Sequence, residues 1–160
     1  MPPRTPLQQP LDLGSYAPFY LNTISNRISA SASRAYLVQF GIGIAEWRVL
    51  ANLGGAGRTT AGEIARITAM DKSVVSRAVQ ALECGGHVTT TADAADTRRR
   101  TLLLTPGGDA LRRRVLRVAL DREQALLAGL SAAERATLID LLRRLHANVA
   151  HGAGGKAAKN

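Results

Sequence analysis

Thr60 to Thr105 reads TAGEIARITAMDKSVVSRAVQALECGGHVTTTADAADTRRRTLLLT, and the order of periodicities along it decides the fold. It opens on Thr60-Ala61-Gly62-Glu63, a capping box in which hydroxyl and carboxylate satisfy each other's orphan amide donors. Ile64, Ala65 and Ile67 follow on one side. Thr68-Ala69-Met70 is short enough for a turn, and Asp71 is suited to cap the next helix. In that helix, roughly Lys72 to Glu83, Val75, Ala78, Val79 and Leu82 fall at i, i+3, i+4 and i+7, the spacing of a stripe pressed onto a core. Ser73, Ser76, Arg77 and Gln80 repeat the spacing on the opposite side. A solvated helix face is usually rich in Glu and Lys. This one carries hydroxyls, an amide and one guanidinium, the groups that pair with base edges and phosphates in a DNA major groove.

Past Gly85-Gly86 the period changes. His87-Val88-Thr89-Thr90-Thr91 and Thr101-Leu102-Leu103-Leu104-Thr105 are β-branched or strand-like runs. The polar segment between them is too short for a helix, so the two strands join as a hairpin with Arg98, Arg99 and Arg100 near its tip. Alone, an arginine triplet is an ordinary solvated loop. Beside a polar-faced helix it is placed to reach phosphates or a minor groove.

Four blocks make a more specific match: Met70-Asp71-Lys72-Ser73-Val74-Val75-Ser76-Arg77, Leu82-Glu83-Cys84-Gly85-Gly86-His87-Val88, Asp96-Thr97-Arg98, and Leu104-Thr105-Pro106-Gly107-Gly108. In order and spacing they resemble the MarR family of winged helix-turn-helix transcription regulators, and flanking helices extend the likeness from about Tyr16 to Val149. Ala95 departs from an arginine common in the family's wings, and His87 from a usual aliphatic residue. The resemblance implies a mainly α fold with a small antiparallel β wing, an intertwined homodimer, and an inverted-repeat operator in double-stranded DNA. It also implies a repressor released by a small aromatic effector, a carboxylate or phenol. On this pattern Ser73, Ser76, Arg77 and Gln80 face bases, while Lys72 and Arg98 to Arg100 hold the backbone or enter the minor groove.

Composition agrees. Lys and Arg outnumber Asp and Glu by 21 to 12, a net charge of +9 that suits a polyanionic partner. From Asp71 to Arg100 the balance is nearly even, so geometry rather than regional charge must do the focusing. One cysteine excludes an intrachain disulfide framework and suits a cytoplasmic protein. No apolar run is long enough to span a bilayer, and no secretory signal pattern opens the chain. His87, His146 and His151 sit in no metal or nucleophile motif, and neither a phosphate-cradling glycine loop nor paired carboxylates occur. Catalytic residues, metal and cofactor are therefore not expected.

The rest of the chain frames this lobe, residues 58–105. Residues 1–14 hold four prolines and read as an extended arm. A first helix from about Tyr16 to Phe40 carries the apolar stripe Leu21, Ile24, Ile28, Ala32 and Ala35, and a second from Ile44 to Leu53 turns Trp47, Leu50 and Ala51 inward. Gly54 to Gly57 reads as a flexible joint. Thr105-Pro106 starts a long helix to about Ala128, with Leu111, Val115, Val118 and Ala119 inside. Ser131 to Glu134 caps a last helix whose Leu138, Leu141, Leu142, Leu145 and Val149 call for a partner. Residues 15–57 and 106–150 thus form a helical dimerisation region, and 151–160 a disordered tail.

Effectors in MarR-like proteins bind between the first two helices and the DNA-binding lobe. Here Trp47 can stack, Arg48 can pair with a carboxylate, Ser25 or Ser29 can donate a hydrogen bond, and Tyr16 and Tyr20 can come from a partner subunit. Two other readings stay open: redox control through Cys84, which no basic neighbour flanks, and a constitutive DNA-packaging protein that tolerates many sequences.

Overall fold

Val75 and Leu82 lie almost wholly out of solvent, as do Ala78 and Val79 beside them, so the predicted stripe of the second lobe helix is the centre of the core. The computed structural model describes residues 10–92 and 100–154. Its elements are α1 (Ala17–Phe40), α2 (Ile44–Ala56), α3 (Ala61–Thr68), α4 (Lys72–Cys84), β1 (Val88–Ala92), β2 (Arg100–Leu104), α5 (Pro106–Leu126) and α6 (Ala132–Gly154). The chain divides into two units, Met1–Arg117 and Val118–Asn160, with α5 running through the division.

In the first unit, α4 packs against α2 and α3 and continues into a two-stranded antiparallel sheet. Val49, Leu50 and Leu53 of α2, Ile64 and Ala65 of α3, Val88 of β1, Leu102 of β2, and Leu111 and Val115 of α5 complete the core. Burying each of the larger aliphatic side chains contributes about 1.5–3 kcal/mol. The capping box at α3 forms as read: the Glu63 amide donates to Thr60 Oγ1 at 3.2 Å, and the Thr60 amide to Glu63 Oε2 at 2.9 Å. The turn after it closes through Ala69, whose φ is +52°. Asp71 occupies the N-cap position of α4, but its side chain makes no cap bond. Its carbonyl accepts from the Val74 and Val75 amides instead.

Several expectations are corrected by packing. Ile67 is 53% exposed, because it lies about 200° round the helix from Ala65 at 3.6 residues per turn. On α2, Val49 and Leu53 rather than Ala51 flank Leu50 inside, and Ala51 is exposed. Gly54 to Ala56 are helical, and only Gly57 of the expected joint lies outside the helix. Helix α2 runs on to Ala56 and ends where the Gly57 amide bonds the Leu53 carbonyl at 2.9 Å. A Cβ on Gly54 would stand 2.5 Å from Cδ of Arg112, whose flexible side chain lies across it and would swing aside.

On α1, Ala32 and Tyr36 are buried, while Leu21, Ile24 and Ile28 are exposed and Ala35 is half-buried. Among the described residues of the first unit, the α1 stripe is therefore buried only at its C-terminal end.

The second unit contains the end of α5 and α6. Helix α6 opens on the expected capping box, in which Glu134 Oε2 accepts from the Ser131 amide and hydroxyl at 2.7 Å each. The Ser131 hydroxyl and amide hold the Glu134 carboxyl below its ordinary value. Leu141, Leu142, Leu145 and Val149 are exposed along α6, and Leu138 is half-buried. His151 to Gly154 are helical; 155–160 lie outside the described residues.

Candidate nucleic-acid interface

The four buried positions of α4 fix which side its remaining residues present. Lys72, Ser73, Ser76, Arg77 and Gln80 are all exposed, forming one polar ridge from the first turn of the helix to its third. No carboxylate pairs with Arg77 among the described residues, so its guanidinium fork is open to a ligand.

A chain of short contacts locks the hairpin to this helix. Helix α4 ends with the Gly86 amide on the Glu83 carbonyl at 2.9 Å and the His87 amide on the Leu82 carbonyl at 2.8 Å. These are the paired bonds of a Schellman ending, with Gly86 at φ +70°. Strands β1 and β2 pair from Val88 opposite Leu104 to Ala92 opposite Arg100. The Leu102 amide also donates to the Thr59 carbonyl at 2.8 Å, tying β2 to the segment before α3. At the base, the Thr105 amide bonds the His87 carbonyl at 3.1 Å, Thr105 Oγ1 donates to the Gly86 carbonyl at 2.8 Å, and the Gly108 amide donates to Thr105 Oγ1 at 2.9 Å. Thr105 therefore caps α5 and bolts its start to the end of α4. The His87 ring is held here with Nδ1 buried and without a hydrogen-bond partner.

Sequence reading missed one tie. Thr90 Oγ1 donates to Glu83 Oε1, joining the last turn of α4 to the middle of β1. A signal was available, because an acid in the last turn of a helix opposes the macrodipole and therefore suggests another partner. Of the three wing arginines, Arg100 begins β2 and is exposed; Arg98 and Arg99 lie outside the described residues.

The expected effector residues fall into two groups. Arg48 Nη2 stands 3.4 Å from Ser29 Oγ, so α1 and α2 bring these two together. Trp47 is half-buried, its ring edge-on to buried Tyr36 at 5.9 Å, a neighbour the sequence reading did not name. Ser25 is exposed one turn before Ser29. Tyr16 and Tyr20 belong to the other end of α1, where Tyr16 is the N-cap and the Tyr20 hydroxyl donates to the Gly14 carbonyl at 3.2 Å. At 1.5 Å per residue, Tyr20 is about 14 Å along the helix from Ser29. Within one chain the tyrosines do not join the Arg48–Ser29 pair.

Cys84, the last residue of α4, is exposed and unpaired with another cysteine. No group of His, Cys, Asp and Glu that could hold a metal occurs among the described residues. No described helix is long and apolar enough to cross a membrane.

A helix-turn-helix whose second helix presents a polar ridge, bolted to an antiparallel hairpin, is a winged helix-turn-helix, the architecture of a class of DNA-binding proteins. Residues 40–99 match the family model described as MarR family. A curated protein of Thauera aromatica, described as a transcriptional regulatory protein for the hcr operon, is 36% identical over 77 residues. That match covers 48% of this chain and 46% of the relative, so the chain spans about half the length of that protein. The crystal structure of a MarR/EmrR family transcriptional regulator from Acinetobacter sp. ADP1 superposes with a TM-score of 0.81 at 30% identity, covering 88% of this chain and 99% of that one. Bordetella bronchiseptica BpsR, whose DNA binding is regulated by 6-hydroxynicotinic acid, is similar with a TM-score of 0.76 at 25% identity, over 86% of this chain and 98% of that one. The chain belongs to the MarR family, whose members are transcription regulators and not enzymes.

Proposed function

We propose that the protein is a cytoplasmic repressor that binds an inverted-repeat operator as an intertwined homodimer and leaves it on binding a small aromatic acid or phenol. The observation that carries the DNA reading is the ridge on α4: five exposed polar or basic side chains backed by four buried apolar ones. Residues 58–105 form the DNA-binding lobe, in which Ser73, Ser76, Arg77 and Gln80 face bases. Lys72, Arg98, Arg99 and Arg100 contact the backbone or minor groove.

Residues 15–57 and 106–150 form the dimerisation region. Exposed Leu21, Ile24 and Ile28 on α1, and Leu141, Leu142 and Leu145 on α6, support a second copy as their cover. Two reading helices about a two-fold axis require half-sites roughly one DNA turn apart. Competition between such an operator and random DNA tests this reading directly. A specific regulator prefers its site by about 10³-fold or more, whereas comparable affinities would make the protein a DNA-packaging factor.

Arg98→Gln is expected to flatten the salt dependence of operator binding. Losing one phosphate contact per subunit lowers the slope of log K against log salt by about 0.9 each. An unchanged slope removes Arg98 from the interface.

For the effector, the Arg48–Ser29 pair beside the half-buried Trp47 supplies a cation, a hydroxyl and a stacking surface, with Tyr16 and Tyr20 contributed by the partner subunit. The aromatic acid that regulates BpsR supports the same ligand class here. Trp47 is the chain's only tryptophan, so its fluorescence reports on this site alone. Hydroxylated benzoic and nicotinic acids are expected to quench it in parallel with release of operator. Release without any change in emission would place the effector elsewhere.

A further inference from the structure

The first unit carries a second basic feature, separate from α4 and the wing. On α5, Arg113, Arg114 and Arg117 line an open cleft of about 520 Å³ with Ala110. Arg117 is i+4 from Arg113 and i+3 from Arg114, so the three side chains leave one face of the helix, and like charges at these spacings repel. The acid one turn before Arg113 is already committed. Asp109 Oδ1 accepts from Arg112 at 2.8 Å, and Oδ2 from Arg113 at 2.5 Å. Arg114 has no carboxylate partner among the described residues; its Cζ sits 5.3 Å from the centroid of the Phe40 ring. That cation–π contact holds the guanidinium in place and leaves N–H groups free at its rim. Arg117 has no ion-pair partner among the described residues.

We propose that this cleft binds a phosphate group, with Arg114 and Arg117 as the direct donors and Arg113 in support. With Arg113 held by Asp109, a single further carboxylate would offset one of the two remaining cations. A phosphate offers more charge and at least three acceptor oxygens, and guanidinium forks match it in pairs. Two sources share this chemistry: a backbone phosphate of bound DNA, or a free phosphate-bearing molecule. Only the first rests on the DNA reading above.

The test uses the full chain, with inorganic pyrophosphate as the probe at constant ionic strength. Arg114→Gln/Arg117→Gln is compared with Lys156→Gln/Lys159→Gln, which removes the same charge from outside the DNA-binding lobe and the dimerisation region. Arg117→Gln alone keeps the Phe40 contact and guards against a folding defect. For a free ligand, calorimetry should give at least a tenfold loss of pyrophosphate affinity in the cleft variants but not in the lysine variant, with the salt slope of DNA binding unchanged. For DNA backbone, pyrophosphate should bind all variants alike, while the salt slope falls by about 0.9 per subunit in the cleft variants only. Equal behaviour of cleft and lysine variants in both measurements overturns the proposal. If wild type binds no DNA, the DNA reading fails, and the pyrophosphate comparison still decides the cleft.

Discussion

Gly108→Ala is expected to destabilise the protein by about 3–5 kcal/mol, in the range reserved for changes that break a defined structural feature. An alanine Cβ at this position would stand 1.8 Å from the His87 carbonyl oxygen, 2.8 Å from its carbonyl carbon and 3.1 Å from its Cα. All three are backbone atoms, so no side-chain rotation relieves the overlap. The start of α5 would have to separate from the end of α4, breaking the Thr105–His87 bond on which the base of the wing depends. Urea unfolding of wild type and variant measures the loss, and operator affinity should fall with it as the wing loses its position. Gly55→Ala is the matched control: it sits within α2 with nothing in 4 Å of its Cβ. It should stabilise by roughly 0.5–1 kcal/mol, the ordinary gain of alanine over glycine in a helix. If Gly108→Ala behaved like Gly55→Ala, the close approach of α5 to His87 would be wrong.

The contrast between those two glycines also marks what the sequence could reveal. Periodicity identified α4 completely, because one helix buries its whole stripe inside its own lobe. The caps at Thr60 and Ser131 were equally legible, since a capping box is a local exchange of bonds needing only residues three apart. Where the partner surface is remote, the string was a poorer guide. Ile67 and Ala51 looked apolar and inward, yet the direction of burial on α3 and α2 is set by α4, which comes later in the chain. Gly54 and Gly55 looked like a hinge because glycine disfavours helix interiors. The crossing of Gly54 by the Arg112 side chain cannot be inferred from its neighbours in sequence.

The functional surface divides in the same way. The α4 ridge was readable from spacing alone, whereas the Glu83–Thr90 tie and the Arg114–Phe40 contact join separate elements. Of the effector residues, only Arg48 and Ser29 are joined by one chain, because Tyr16 and Tyr20 lie at the far end of α1. Any pocket that uses all of them needs a second subunit. The wing arginines were visible as a run of charge, but a run does not say which of them reaches DNA. Arg100 is already inside β2, opposite Ala92, so its backbone is fixed by the strand pairing.

Arg77→Ala is expected to weaken operator binding by about 1–3 kcal/mol for each half-site and to relax the preference for the base pair it faces. The size follows from what an arginine can do in a major groove. Two parallel N–H groups meet the O6 and N7 acceptors of a guanine, and the wrong base offers no equivalent pair. Arg77 is free to do this: it is exposed, it points away from the buried Val75–Leu82 stripe, and it has no acidic partner among the described residues. Arg77→Lys separates the two possible roles. Lysine keeps the charge but not the planar fork, so a base-reading residue should lose most of its discrimination while the salt slope holds. A phosphate-holding residue should instead tolerate lysine, and its loss to alanine should weaken specific and random DNA by the same factor. Affinities of the three proteins for the operator, for its single-base variants and for random DNA, at two salt concentrations, distinguish these results. Uniform weakening across all sequences would shift base reading to Ser73, Ser76 and Gln80, and leave Arg77 as an anchor beside Lys72.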